Sequence, residues 1–276
     1  MPAAITLAPH PQAVLQHDTL LIVGRKTRLL ESDVLALLPS KFPRATWDAM
    51  VRRCDPGDWG RTVTTWNSEA PTRVAAGVLP EVSSRHNSAS RAYAIPGLVS
   101  SAGQKGNVGL VLALEEADHD IASAMGVARA LPTYTSTSRR VSREVTLWIQ
   151  PRTGTARVDP VREAIEGVRY AAHLTDQPPN QLGCDALVAE AMAVARDVGC
   201  SIEVFRRPEL REHGLNGILA VGQAAEQSPA LVVLDHQPSE PRDHVAWVGK
   251  GIVYDTGGLS IKSKTGMPGM KTDMAG

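Results

Sequence analysis

Apolar positions along this chain follow two rhythms. Short unbroken runs, TLLIV at 19–23, NVGLVLAL at 107–114 and VTLWI at 145–149, have the length and β-branched content of buried strands. Helical stripes alternate with them. IASAMGVARAL at 121–131 is one, expected to stop at Pro132. PVREAIEGVRYAAHL at 160–174 is another, with Val161, Ile165, Val168 and Ala172 at helical spacing behind Pro160 near the helix start. A third helix is expected with Asp185 as its N-cap, an apolar stripe of Leu187, Val188, Ala191, Val194 and Val198, and a stop at Gly199. SIEVF at 201–205, ALVVL at 230–234 and HVAWVG at 244–249 read as further strands, and PELREHG as a short helix ended by Gly214. Such alternation predicts the α/β class with a partly parallel sheet.

The pattern also suggests an organisation: an N-terminal α/β domain over 1–157, a linker helix over 158–175, and a second, mixed-sheet domain over 176–276. Paired prolines, Pro178 and Pro179, end the linker helix. The stretch from about 52 to 106 shows little periodicity, only the turn chemistry of DPGDWG, PEVSSRHNS and SSAGQKG. A lone His86 among small polar groups there reads as solvated or structural.

Composition narrows the partners. Lys plus Arg total 29 and Asp plus Glu total 29, so the overall field gives no reason to expect nucleic acid or an anionic membrane. Cys54, Cys184 and Cys200 show no C-x-x-C or zinc-finger spacing and read as isolated thiols in a reducing compartment. The N-terminal segment has no basic n-region, and Leu20–Val23 is too short for a signal core or a membrane span. A cytoplasmic location is expected.

Chemistry concentrates in the last 29 residues, VGKGIVYDTGGLSIKSKTGMPGMKTDMAG. The GKG at 249–251 lacks the Ser/Thr and the earlier Gly of a phosphate-cradling loop, and no dinucleotide turn, G-x-S-x-G elbow or H-E-x-x-H helix occurs. What remains is Lys250, Asp255, Lys262 and Asp273 around glycines, where a strand from Val245 is expected to run out at the carboxyl edge of a sheet. Side chains on a strand alternate, so Lys250 and Asp255 need a bend between them to share a face; Gly249, Gly251, Gly257 and Gly258 make one easy. Carboxylates gathered this way suit divalent cations, and a coordinating lysine would have to be neutral. Taken alone, the residues fit equally a glycine-rich surface loop carrying solvated charges.

VGKGIVYDTGGLSIK followed by MKTDMAG resembles the leucyl aminopeptidase family, the two-metal cytosolic aminopeptidases. GIVYDTGGLSIK, TGMPGMK and the upstream SRHNS resemble its aminopeptidase-like-1 branch most. Position by position, the resemblance implies that Lys250 and Asp273 bind one metal and that Asp255 is shared by two. Lys262 would be the catalytic lysine that polarises the scissile carbonyl of a bound substrate. Met270 would line the pocket for the substrate's first side chain, although a methionine among glycines also reads as a gap filler. The implied protein releases N-terminal residues from peptide substrates, uses two divalent ions, Mn²⁺ or Zn²⁺, and assembles as a homohexamer.

The family motif goes on through a helix to a second ligand segment of the N-T-D-A-E-G-R type, which residues 1–276 do not contain. The chain is therefore expected to be C-terminally shortened and inactive by itself. A second reading makes it a non-catalytic assembly or regulatory subunit that keeps the family fold.

Overall fold

A computed structural model describes residues 4–102, 106–131, 133–134, 144–259 and 261–275, residue 275 by its backbone alone. They form two compact units divided between His173 and Leu174.

The first unit is built on six strands: β1 (Ala4–Leu7), β2 (Thr19–Gly24), β3 (Arg61–Trp66), β4 (Arg73–Val78), β5 (Val108–Leu114) and β6 (Glu144–Pro151), in the order β1-β6-β5-β2-β4-β3. Every neighbouring pair is parallel except β3 with β4. Parallel strands covered on both faces carry no polar alternation, and β2 and β5 are buried along their whole length. Successive side chains feed two cores. Leu21 and Val23 point to one, where α4 (Ile95–Ser101), α5 (Asp120–Arg129) and α6 (Val158–Asp176) contribute Leu98, Val127, Val161 and Ile165. Leu20 and Ile22 point to the other, covered by α1 (Lys26–Leu29), α2 (Ser32–Leu35) and α3 (Arg44–Arg53) through Leu29, Val34, Trp47 and Val51.

Polar groups close the carboxyl edge of this sheet. The fully buried Arg28 donates to the backbone oxygens of Leu114 at 3.0 Å and Gln150 at 3.3 Å, tying the ends of β5 and β6 together, and pairs with Glu31 and Asp33. Asp120, equally buried, accepts the backbone N–H of Ile121 at 2.7 Å and of Arg157 at 2.8 Å, and the Arg157 guanidinium.

Gly109 marks the tightest approach. A Cβ built there would lie 1.8 Å from the Val14 carbonyl oxygen, in the 3₁₀ segment Pro11–Gln16 that crosses β5. Backbone cannot yield as a side-chain tip can. Gly109→Ala is expected to lower unfolding stability by about 2 kcal/mol, within the usual range for overpacking; a urea midpoint unchanged from wild type would contradict the close approach.

The second unit contains α7 (Cys184–Val198), β7 (Ser201–Phe205), α8 (Arg207–Glu212), α9 (Asn216–Gly222) and β8 (Leu231–Asp235), with β7 and β8 antiparallel. Among the described residues no helix is long and apolar enough to cross a membrane.

Three sequence expectations need correction. The stretch 52–106 holds β3, β4 and α4. Gly183, not Asp185, is the N-cap of α7; Asp185 lies in the first turn, where its carboxylate pairs with Arg206 at 2.8 Å. HVAWVG at 244–249 is not a strand: it is irregular, and Val245, Trp247 and Val248 are 76%, 93% and 98% exposed. A strand exists only where a neighbour accepts its hydrogen bonds, and apolar sequence supplies none. Gly199 does end α7, in the left-handed conformation at φ +74°. Pro132 lies outside the described residues.

Candidate metal centre

The motif opens on irregular chain. Residues 248–254 pass along an apolar cavity of about 520 Å³, lined also by Ile218, Val221, Ala225 and Leu231, and Lys250 lies on this segment. Asp255 then starts a tight turn. Its Oδ1 accepts the Gly257 N–H at 2.7 Å, Thr256 Oγ1 donates to the Gly258 oxygen at 2.6 Å, and the Lys262 N–H returns to the Thr256 oxygen at 3.1 Å. The turn needs left-handed backbone at Gly257 (φ +76°) and Gly258 (φ +115°), so of the four glycines expected to bend the chain these two do it.

Folding back at this turn brings Lys262 Nζ to Asp255 Oδ2 at 2.6 Å, with Met270 Sδ 3.0 Å from the same ammonium. Met270 belongs to a 3₁₀ helix, Met267–Ala275, that also carries Asp273, whose Oδ2 lies 3.2 Å from Lys250 Nζ. The structure thus gathers Lys250, Asp255, Lys262, Met270 and Asp273 into two adjoining Lys–Asp pairs. The Lys262 hydrogen bond, then the Gly257 N–H, hold the Asp255 carboxyl below the usual carboxylate range against slight desolvation, helped by the charges of Lys262 and Lys250.

The donor set suits a divalent ion. Two carboxylates supply hard oxygen donors, and Lys250 supplies a nitrogen once its proton is displaced. Lys262 Nζ, bonded to Asp255 Oδ2 and touching Met270 Sδ, lies beside one of those carboxylates. Elsewhere, Glu116, Asp118 and His119 bring three ligand-type atoms within 4.8 Å of one another, on a surface turn after β5 remote in sequence from this motif. His86, in the SRHNS loop, is exposed and accepts a hydrogen bond from Arg85 at 3.0 Å. The three cysteines are free thiols, Cys54 buried and the other two half-buried.

Lys271 was not among the residues singled out from sequence. Its Nζ donates to the backbone oxygens of Thr175 at 2.8 Å and Asp176 at 2.6 Å, in the last turn of α6. Those acceptors are nearly a hundred residues away in sequence, so no local pattern signals the contact.

Comparison with known proteins agrees with the motif. Residues 169–276 match the catalytic domain of the cytosol aminopeptidase family, and residues 18–140 match the M17 aminopeptidase N-terminal domain 2. The chain is 40% identical to probable aminopeptidase NPEPL1 of Homo sapiens, over 95% of this chain and 51% of that protein. It is 53% identical to leucine aminopeptidase 1 of Caenorhabditis elegans over 40% of this chain and 23% of that one. The solved structure of C. elegans leucine aminopeptidase superposes with a TM-score of 0.79 at 33% identity, covering 99% of this chain and 56% of that chain. Leucyl aminopeptidase from Trypanosoma brucei in complex with bestatin also gives 0.79, at 27% identity and the same coverage. The chain spans about half the length of the curated relatives it matches. With both domains matched in order and the fold shared from end to end, this chain belongs to the M17 leucyl aminopeptidase family.

Proposed function

We propose that the protein is a metal-dependent aminopeptidase that releases N-terminal amino acids from peptides. The observation that carries this reading is the convergence of Lys250, Asp255, Lys262, Met270 and Asp273 on one cluster. M17 aminopeptidases are metal-dependent. Lys250 and Asp273 would hold one ion, and Asp255 would be shared by two, Mn²⁺ or Zn²⁺. When bound, the ions supply Lewis acidity and a water of lowered pKa.

The chain's own residues do the rest. Asp255 holds the Lys262 side chain in place through the 2.6 Å contact, so that Lys262 can donate to the scissile carbonyl oxygen as negative charge grows there. Met270 lies against Lys262 and would bound the pocket for the first side chain, giving it a flexible apolar wall. We further propose a cytoplasmic homohexamer.

The test is hydrolysis of leucine amide by the protein expressed from its complete reading frame, before and after chelation. Activity should vanish with chelator and return with Mn²⁺ or Zn²⁺. Turnover that survives exhaustive chelation would overturn the proposal, and absence of both ion binding and turnover would favour an assembly subunit.

A further inference from the structure

We infer that Lys271 is a positioning residue of the metal centre, acting by capping the carboxyl end of α6 and so setting the rotation of the 267–275 segment. The inference rests on the function proposed above.

The geometry follows from the 3₁₀ repeat. With three residues per turn, positions i and i+3 stand one above the other. Met270 and Asp273 therefore share one stripe, the one that meets Lys262 and Lys250. Lys271 and Met274 share the next, a third of a turn away. Met274 is 7% exposed, and Lys271 reaches the Thr175 and Asp176 oxygens. On the remaining stripe, Gly269 and Thr272 are exposed. One stripe anchors, one serves the site, and one is wet.

A nine-residue 3₁₀ helix is long for its type, because its hydrogen bonds are poorly aligned and such runs seldom exceed three or four residues. It needs outside anchors to keep its register. The carboxyl end of a helix is a fitting one, since its last carbonyls lack amides four residues on and carry the negative end of the helix dipole. A lysine there gains both hydrogen bonds and charge complementarity. Rotating the segment by one residue would put Lys271 where Met270 now meets Lys262 and would carry Asp273 away from Lys250.

Lys271→Met keeps the length and removes the charge and donors; Lys271→Arg keeps both. In the protein expressed from its complete reading frame, Lys271→Met is expected to weaken Mn²⁺ binding by roughly 10–100-fold, the scale for residues that orient metal ligands. It should also speed amide hydrogen exchange in residues 267–275, and Lys271→Arg should restore both readouts toward wild type. Unchanged exchange and ion affinity in Lys271→Met would overturn the inference, as would an arginine variant no better than the methionine one. If the wild-type protein binds no Mn²⁺, the metal reading itself fails, and the exchange comparison alone decides whether Lys271 holds the segment.

Discussion

Asp255→Ala is expected to lower leucine amide hydrolysis by at least about a thousandfold, the consequence of losing several kcal/mol of transition-state stabilisation. Two losses coincide at this position. The carboxylate proposed to be shared by both ions disappears, and Lys262 loses the 2.6 Å partner that orients its ammonium. Asp255→Asn separates charge from shape, because an amide oxygen can still accept the Gly257 N–H and keep the turn. The asparagine variant should melt like wild type yet bind Mn²⁺ weakly by calorimetry and hydrolyse little. An alanine variant that kept the parent rate would remove Asp255 from the mechanism.

The second large effect concerns stability. Asp120→Ala is expected to cost the first unit about 3 kcal/mol, the low end of the range for breaking a buried pair, since the Arg157 side chain left behind is half exposed and can be solvated. The cost is also pH-dependent. Burial pushes the Asp120 carboxyl up, but the Arg157 side chain, the Arg157 N–H and the Ile121 N–H together outweigh it and hold the group below its ordinary value. A carboxyl whose pKa is lower folded than unfolded stabilises fully above the unfolded value of about 4 and loses that contribution as pH falls through the folded value. The gap in urea stability between wild type and Asp120→Asn should therefore stay level from neutral pH down to about 5 and shrink below about 4. A gap that widened in acid would mean that the carboxylate is not the favoured form in the folded state.

Much of the fold was legible because the central strands are apolar throughout. β2 and β5 stand where nearly unbroken apolar runs place them, since only a sheet covered on both faces tolerates such runs, and β6 stands over VTLWI. β3 and β4 escaped notice for opposite reasons. RTVTTW is an edge strand, half polar, and RVAAGV is made of small residues whose burial depends on what packs above them. HVAWVG misled in the other direction, being apolar without a partner strand among the described residues.

The candidate site divides the same way. Residue types and spacing named Lys250, Asp255, Lys262 and Asp273, but not which lysine meets which aspartate, and Met270 came only from the family resemblance. That pairing depends on two left-handed glycines and on the rotation of a 3₁₀ helix. Lys271 was invisible because its partners are main-chain oxygens, and backbone acceptors leave no mark in an amino-acid pattern.

The strand order carries a consequence for biosynthesis. β1 leaves the ribosome ahead of the other five strands of its sheet, yet its neighbour there is β6, with Thr6 beside Thr146, 140 positions later. At roughly 5–20 residues per second, the nascent β1 waits on the order of ten seconds before the segment it pairs with has been made. In that interval β2, β4 and β5 can already assemble, so β1 joins last on the β6 edge, and chaperones that hold extended segments would have their longest opportunity there.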